Sequence, residues 1–95
     1  MASCLQYLKL KHIVCWRNNT GATKTEKGGF IRFGATGSPD IFAVLRPNGQ
    51  LVNIECKVGK NKLSPAQHEW QMTMEAHGAK YWLVYSIDEM IGKLV

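Results

Sequence analysis

The sequence lacks a signal peptide, an apolar run of 18 residues and any CxxC spacing. The first two absences lead us to expect a soluble intracellular protein, cytoplasmic or associated with the nucleoid, with no membrane partner. An odd set of three cysteines without paired spacing predicts neither a zinc site nor a disulfide framework. We expect Cys15 and Cys56 to be small buried residues. No internal repeat or low-complexity tract is present.

Acidic residues are also missing from the first part of the chain, where none precedes Glu26. The whole chain has 12 Lys and Arg against 7 Asp and Glu, a net charge of +5. A second basic group lies at Lys57, Lys60 and Lys62. This balance suggests a polyanionic partner, most simply nucleic acid, although solubilising charges are the alternative. The 95 residues allow one small domain, 1–95, whose thin core a dimer interface would help to cover.

The stretch from Gly37 to Lys57, GSPDIFAVLRPNGQLVNIECK, predicts a β-hairpin. Residues 41–45 are apolar and β-prone, Pro47-Asn48-Gly49 has turn chemistry, and residues 51–58 alternate in type. The alternation places positions 52, 54, 56 and 58 on one face and positions 51, 53, 55 and 57 on the other. The chain is therefore expected to bring the ends of the two arms together.

The register of this hairpin decides which side chains meet. A two-residue turn at positions 48 and 49 places Asp40 opposite Lys57 and Phe42 opposite Glu55. Asp40 and Glu55 then become diagonal neighbours on one face, about 7–8 Å apart at the backbone. Two carboxylates at that separation can converge on one hard cation beside the Lys57 ammonium. The alternative is that Asp40 caps a strand start while the other two residues are solvated.

The rest of the chain predicts an α/β fold. We expect a helix over 2–11, strands over 12–17, 30–33 and 80–86, and a short terminal helix. The polar segment 18–29 predicts either a flexible connection or a mobile basic loop. The order α-β-β-β-α-β(-α) requires a mixed β-sheet flanked by helices. We expect Trp16 in the core, with stacking on a base as the alternative. Ala66, Trp70 and Met74 recur at helix spacing and are also expected in the core.

The segment Ser64-Pro65-Ala66-Gln67 predicts the start of a helix. Ser64 fits the N-cap, Pro65 the first helical position, and Gln67 the third residue after the cap. The segment 58–63 (VGKNKL), which we call the basic loop, leads into this helix. A capping box explains Gln67 without any function.

The motif Pro39-Asp40 followed by Glu55-x-Lys57 on the next strand resembles the PD-(D/E)xK nuclease superfamily. The chain is most similar to its virus-type replication-repair nuclease (VRR-NUC) branch. The segments that carry this resemblance lie in the family's order: Trp16-Arg17-Asn18, Gly37-Ser38-Pro39-Asp40, Glu55-Cys56-Lys57 and Leu63-Ser64-Pro65-Ala66-Gln67. They span nearly the whole chain and imply a restriction-endonuclease-like sheet.

The resemblance implies a metal-dependent endodeoxyribonuclease of DNA repair, with no organic cofactor. It implies a structure-selective enzyme that cuts branched DNA, such as four-way (Holliday) junctions, as a homodimer, and it allows a bacteriophage origin. The implied catalytic residues are Asp40, Glu55, Lys57 and Gln67, where Gln67 would help to hold Lys57 or a phosphate. Mg²⁺, with Mn²⁺ as substitute, would bind Asp40 and Glu55, and the carbonyl of Cys56 can supply a third ligand. For Lys57 we prefer a role in positioning the water or the phosphate, because Mg²⁺ already lowers the pKa of its bound water.

Seven residues are expected to contact DNA. They lie at the exit of the first strand, in the polar segment 18–29, in the small-residue approach to Asp40 and in the basic loop: Arg17, Asn18, Lys24, Lys27, Ser38, Lys60 and Lys62. Backbone without bulky side chains before Asp40 would let a phosphate come close.

Three alternatives stay open from sequence. Members of this family usually carry a glutamate on the first helix, and this chain has no acid there. Either the chain is clipped at its start or it uses a two-carboxylate site. The enzyme can also be a flap or restriction-like nuclease, or the chain can be a DNA-binding module with a vestigial site. For the homodimer, the terminal residues Leu5, Leu8, Ile91 and Leu94 are candidates, although packing within one chain explains them equally well.

Overall fold

The computed structural model describes residues 1–19, 21–24 and 26–95, and the side chains of 21–24 and 30–33 lie outside that description. Within these ranges the elements are α1 Ala2–Leu10, β1 Val14–Arg17, β2 Gly21–Lys24, β3 Phe30–Phe33, β4 Ile41–Leu45, β5 Gln50–Cys56, α2 Pro65–Ala76, β6 Lys80–Val84 and α3 Ile87–Leu94. No helix in the described part of the chain has the length and apolar character needed to cross a bilayer.

Four strands form the main sheet, in the order β1-β4-β5-β6. β4 is antiparallel to both β1 and β5, whereas β5 and β6 are parallel. A parallel pair needs a crossover connection, and α2 supplies it. Along the chain, α1, β1, β4, β5, α2, β6 and α3 reproduce the predicted α-β-β-β-α-β-α order, so the α/β class with a mixed sheet and flanking helices is confirmed.

A second, two-stranded sheet interrupts the polar segment between β1 and β4. β2 pairs antiparallel with β3, with Gly21 opposite Phe33 and Lys24 opposite Phe30. The strand predicted over 30–33 is confirmed. The prediction of a connection throughout 18–29 is wrong at β2. The backbone N–H and C=O groups of β2 pair with those of β3, and the polar composition of the segment does not predict this pairing.

The predicted hairpin exists, but its predicted register is wrong by two residues. Leu45 pairs with Gln50, Phe42 with Asn53 and Ile41 with Ile54, so the turn has four residues, 46–49. In a two-residue turn, positions 47 and 50 would exchange two N–H···O hydrogen bonds, and Pro47 has no N–H to donate one of them. Because the shift is two residues, each side chain keeps its predicted face.

The apolar core lies between the sheet and the pair α1 and α3. Cys4 and Leu8 of α1 and Met90 of α3 pack against the buried positions of the sheet, which are Ile41, Ala43, Val52, Ile54, Trp82 and Val84. The opposite face of the sheet faces α2, which has no fully buried residue. We call this second surface the α2 face.

Several residues that were predicted to be buried in the core are exposed or only half-buried. Trp16 is 47% exposed, because β1 is an edge strand and its side chain lies beyond the region that α2 covers. Ala66, Trp70 and Met74 are only half-buried, since α2 contacts the sheet partly through polar groups. Cys15 and Cys56 are also half-buried, whereas Cys4 is the buried cysteine.

Candidate active site

Asp40, Glu55 and Lys57 come together at the end of β5. Asp40 lies just before β4, and one further step of the β4–β5 register puts it beside Glu55. Oδ2 of Asp40 accepts a hydrogen bond of 2.9 Å from the backbone N–H of Cys56. Nζ of Lys57 lies 3.8 Å from Oε1 of Glu55. The register correction makes the two carboxylates direct cross-strand neighbours instead of diagonal ones.

The approach to Asp40 is held by Asn18, directly after β1. The backbone N–H of Asn18 donates to the carbonyl of Asp40 at 2.8 Å, which extends the β1–β4 pairing. Its side-chain Nδ2 donates to Oγ of Ser38 at 2.8 Å and to the carbonyl of Pro39 at 2.9 Å. The Ser38 hydroxyl donates in turn to the carbonyl of Ala35 at 2.6 Å. These bonds fix the turn that presents Asp40.

Gly37 lets this turn pack against the first turn of α2. Its φ is +83°, in the left-handed region that glycine favours. A Cβ atom at this position would collide with the backbone carbonyl of Ala66. The glycine is therefore required twice, by its dihedral angle and by the close approach of the two backbones.

Gln67 serves both the helix start and the site. Its Oε1 accepts from the backbone N–H of Ser64 at 2.9 Å, and Ser64 Oγ accepts from the Gln67 N–H at 3.2 Å, which completes the predicted capping box. At the same time Nε2 of Gln67 donates to Oε1 of Glu55 at 3.0 Å. Capping and contact with the site are therefore not alternatives. The side chain contacts Glu55, whereas the resemblance implied a contact with Lys57 or a phosphate.

Glu55 is the buried carboxylate of the site. The residue is 3% exposed, and burial raises the pKa of its carboxyl from an ordinary 4.5 to about 7. The neighbouring Asp40 carboxyl contributes to this rise, and Lys57 and the backbone of Asp40 offset part of it. Two carboxylates placed side by side disfavour joint ionisation unless a cation compensates them.

A divalent cation fits this pair of carboxylates. Oε2 of Glu55 is buried and has no hydrogen-bond partner among the described residues. A buried carboxylate oxygen without a partner is rare and calls for a compensating group. Within the described ranges, no group of three or more His, Cys, Asp and Glu side chains gathers into a metal site. Mg²⁺ tolerates this, because it commonly uses one or two carboxylates and keeps several waters.

A cavity of about 410 Å³ opens beside Asp40 and Lys57. Asp40, Cys56 and Lys57 line it on the sheet side, and the first residues of α1 and α3 line it on the other. Burial, and secondarily the nearby Cys4, raises the pKa of the Cys56 thiol to about 12, so this thiol stays protonated. The predicted metal ligand is the carbonyl of this residue, and that role stays a prediction.

The residues predicted to contact DNA fall into two groups. Arg17, Lys27, Lys60 and Lys62 are exposed. Asn18 and Ser38 are half-buried, and their side chains are engaged in the turn before Asp40. Lys24 lies in β2, but its side chain is outside the described part of the chain. DNA contact stays a prediction for the whole set.

A polar layer between α2 and the sheet was not predicted. Nε1 of Trp70 donates to Oδ1 of Asn53 at 2.9 Å, and Asn53 Nδ2 donates to the carbonyl of Lys80 at 3.0 Å. The Tyr81 hydroxyl is buried without a partner in the described part, and burial, then Glu55 and Asp40, raises the pKa of this phenol. An asparagine two residues before Glu55 in an apolar strand was the available signal.

Comparison of the chain with protein-family models, and with curated proteins, gave no match.

Proposed function

We propose that this chain is a Mg²⁺-dependent endonuclease that cuts branched DNA, such as four-way junctions. One observation carries the proposal: a buried glutamate with an unpaired oxygen lies beside an aspartate and a lysine at the end of β5. The net charge of +5 supports a polyanionic substrate. The resemblance to the VRR-NUC branch supplies the preference for branched DNA.

The residues of the site divide the work of phosphodiester hydrolysis. Asp40 and Glu55, with the Cys56 carbonyl, would hold Mg²⁺, which when bound supplies a water of lowered pKa and neutralises phosphate charge. The Lys57 ammonium orients the attacking water or holds the scissile phosphate. Gln67 fixes the rotation of the Glu55 carboxylate, since it donates to one oxygen and leaves the other open. Asp40 is held by the Cys56 N–H.

Cleavage of labelled four-way junction, flap and duplex DNA in Mg²⁺ or Mn²⁺, against an EDTA control, tests the proposal. Asp40→Asn, Glu55→Gln and Lys57→Ala are each expected to reduce cleavage at least about a hundredfold. DNA binding in Ca²⁺ should survive in all three. Asp88→Asn, an exposed acid on α3, is the matched control and should cut at the wild-type rate. Wild-type cleavage by Glu55→Gln contradicts the assignment.

A homodimer is part of this proposal, because resolving a junction needs two cuts related by two-fold symmetry. Leu8 is fully buried within its own chain and cannot contribute to an interface. Leu5 and Leu94 are partly buried against the core. Light scattering at micromolar concentration measures the mass. A monomer that cuts flaps and leaves four-way junctions intact would favour the flap nuclease instead.

A DNA-binding module is the second candidate, and the two-carboxylate site favours it. No acid from α1 joins Asp40 and Glu55. Specific binding to junction DNA, without cleavage in either Mg²⁺ or Mn²⁺, would establish this function and reject the nuclease.

A further inference from the structure

A row of side chains crosses the α2 face next to the candidate active site. Trp16 is opposite Phe42, Phe42 is opposite Asn53, and Asn53 is opposite Tyr81. The ring centroids of Trp16 and Phe42 are 5.6 Å apart, with 32° between the ring planes. Helix α2 covers the Asn53 end of this row through Trp70. The Trp16 end, on the edge strand, stays 47% exposed.

The exposed ring of Trp16 lies two residues along the sheet from Asp40. Asn18, two residues after Trp16, donates its backbone N–H to Asp40. Two residues along a strand cover about 7 Å. That distance is close to the length of two stacked nucleotides, at about 3.4 Å each. The alternation of the strand puts Trp16 on the same face as Asp40 and Glu55.

We propose that Trp16 is a stacking platform for an unpaired base of the substrate, one or two nucleotides from the phosphate that lies at Asp40 and Glu55. The inference rests on the proposed nuclease function, since that function places the phosphate. Val14, 64% exposed, and Trp16 alternate onto the same face of the edge strand and form an apolar surface beside the site that a ligand can cover. A nucleic-acid strand fits the net charge of +5 and the lysine at the site.

The platform selects for unpaired bases because of how duplex DNA is built. Bases within a duplex already have both faces stacked on their neighbours, whereas a splayed base at a fork or junction exposes a face. Stacking tolerates any base, so it reads strand structure and not sequence. Trp16, supported from the side by Phe42, would thus give the site its preference for branched over fully paired DNA.

Binding in Ca²⁺ tests the platform without cleavage. The probes are a forked duplex with an unpaired strand and the fully paired duplex of the same sequence. Trp16→Ala should raise the Kd for the fork about tenfold and leave the Kd for the duplex unchanged. Trp16→Phe should keep most of the fork preference, and Trp16→Leu, which retains apolar area without a ring, should lose it. Met72→Ala, at a 60% exposed residue of α2, is the control and should match the wild type.

A fluorescent 2-aminopurine, moved along the unpaired strand, locates the stacked base in the wild-type protein. Quenching is expected at one position and should disappear in Trp16→Leu. Thermal unfolding by circular dichroism checks that each variant folds, and the Phe and Leu variants decide the matter where the Ala variant does not fold.

The outcomes separate this platform from the nuclease function. Loss of fork preference in a protein that cleaves nothing keeps Trp16 as a stacking platform, but it rejects the nuclease and with it the phosphate position at Asp40 and Glu55. Unchanged fork preference in the Trp16 variants of an active nuclease overturns the platform alone, as does equal weakening for fork and duplex. If Trp16→Ala instead converts a dimer to a monomer with fork preference intact, the face is covered by a second copy of the chain, and the platform is overturned.

Discussion

Replacing Glu55 with glutamine is expected to stabilise the metal-free protein at pH 8 even as it removes cleavage. Burial and the Asp40 carboxyl raise the pKa of Glu55 from 4.5 to about 7 in the folded chain. Between these values the unfolded chain has released this proton while the folded chain still holds it. The free energy of unfolding therefore falls as pH rises through this window, and the whole penalty is present above pH 7. Glutamine cannot ionise, so it avoids the penalty.

The size of the effect follows from the same pKa values. The gap from 4.5 to about 7 corresponds, at about 1.36 kcal/mol for each pH unit, to at most about 3–4 kcal/mol. The pKa of about 7 already includes the attraction of Lys57, 3.8 Å away, and screening by solvent reduces the penalty to about 1–2 kcal/mol. Glutamine is nearly isosteric, and its carbonyl can still accept from Gln67 Nε2. No cavity or lost hydrogen bond should therefore offset the gain.

Urea unfolding in EDTA, followed by circular dichroism at pH values from 4.5 to 8, measures this difference. The Glu55→Gln and wild-type curves should agree near pH 4.5 and separate as the pH rises. Glu75→Gln, at an exposed position of α2, should show no pH-dependent separation. Added Mg²⁺ should stabilise the wild type and leave Glu55→Gln unaffected, because ligand binding to the folded state raises its stability. A variant no more stable than the wild type at pH 8 would refute the idea of an uncompensated buried carboxylate.

Further expected outcomes concern the supports of the site and its substrate. Gln67→Ala and Ser64→Ala should each lower the free energy of unfolding by about 1 kcal/mol, because each opens the capping box. Of these two residues only Gln67 contacts Glu55, so only Gln67→Ala should also slow cleavage. Equal cleavage rates for the two variants would show that Gln67 serves only as part of the cap. Gly37→Ala should lower the melting temperature more than Gly78→Ala. The two glycines have similar φ values, +83° and +90°, but of the two only Gly37 would bring a Cβ atom against the backbone of α2. Equal losses of melting temperature would show that the two backbones move apart to accept the Cβ atom. Replacing Lys60 and Lys62 of the basic loop together should flatten the slope of log DNA affinity against log salt concentration by about two units. An unchanged slope would show that these lysines are only solubilising charges.

Sequence alone determined the features that depend on neighbours along the chain. The alternation in 51–58 specified which residues of β5 share a face, and this survived the register error, because a shift of two residues preserves the side of the sheet. The capping box at Ser64 was readable for the same reason, since all its partners lie within one helical turn.

Only the tertiary structure decided the features that depend on distant segments. Asp40 became a direct neighbour of Glu55 only through the register in which β4 and β5 pair, because the alternation along one strand is the same for registers that differ by two residues. Glu55 is buried in the folded chain with Oε2 unpartnered among the described residues, and this burial raises its pKa. No local pattern encodes how far other segments cover a side chain. Trp16 lies on the edge strand β1 and stays exposed, whereas its position in an apolar strand pattern predicted burial. Burial is a property of what packs from elsewhere in the chain, and the chemistry of this site follows from that packing.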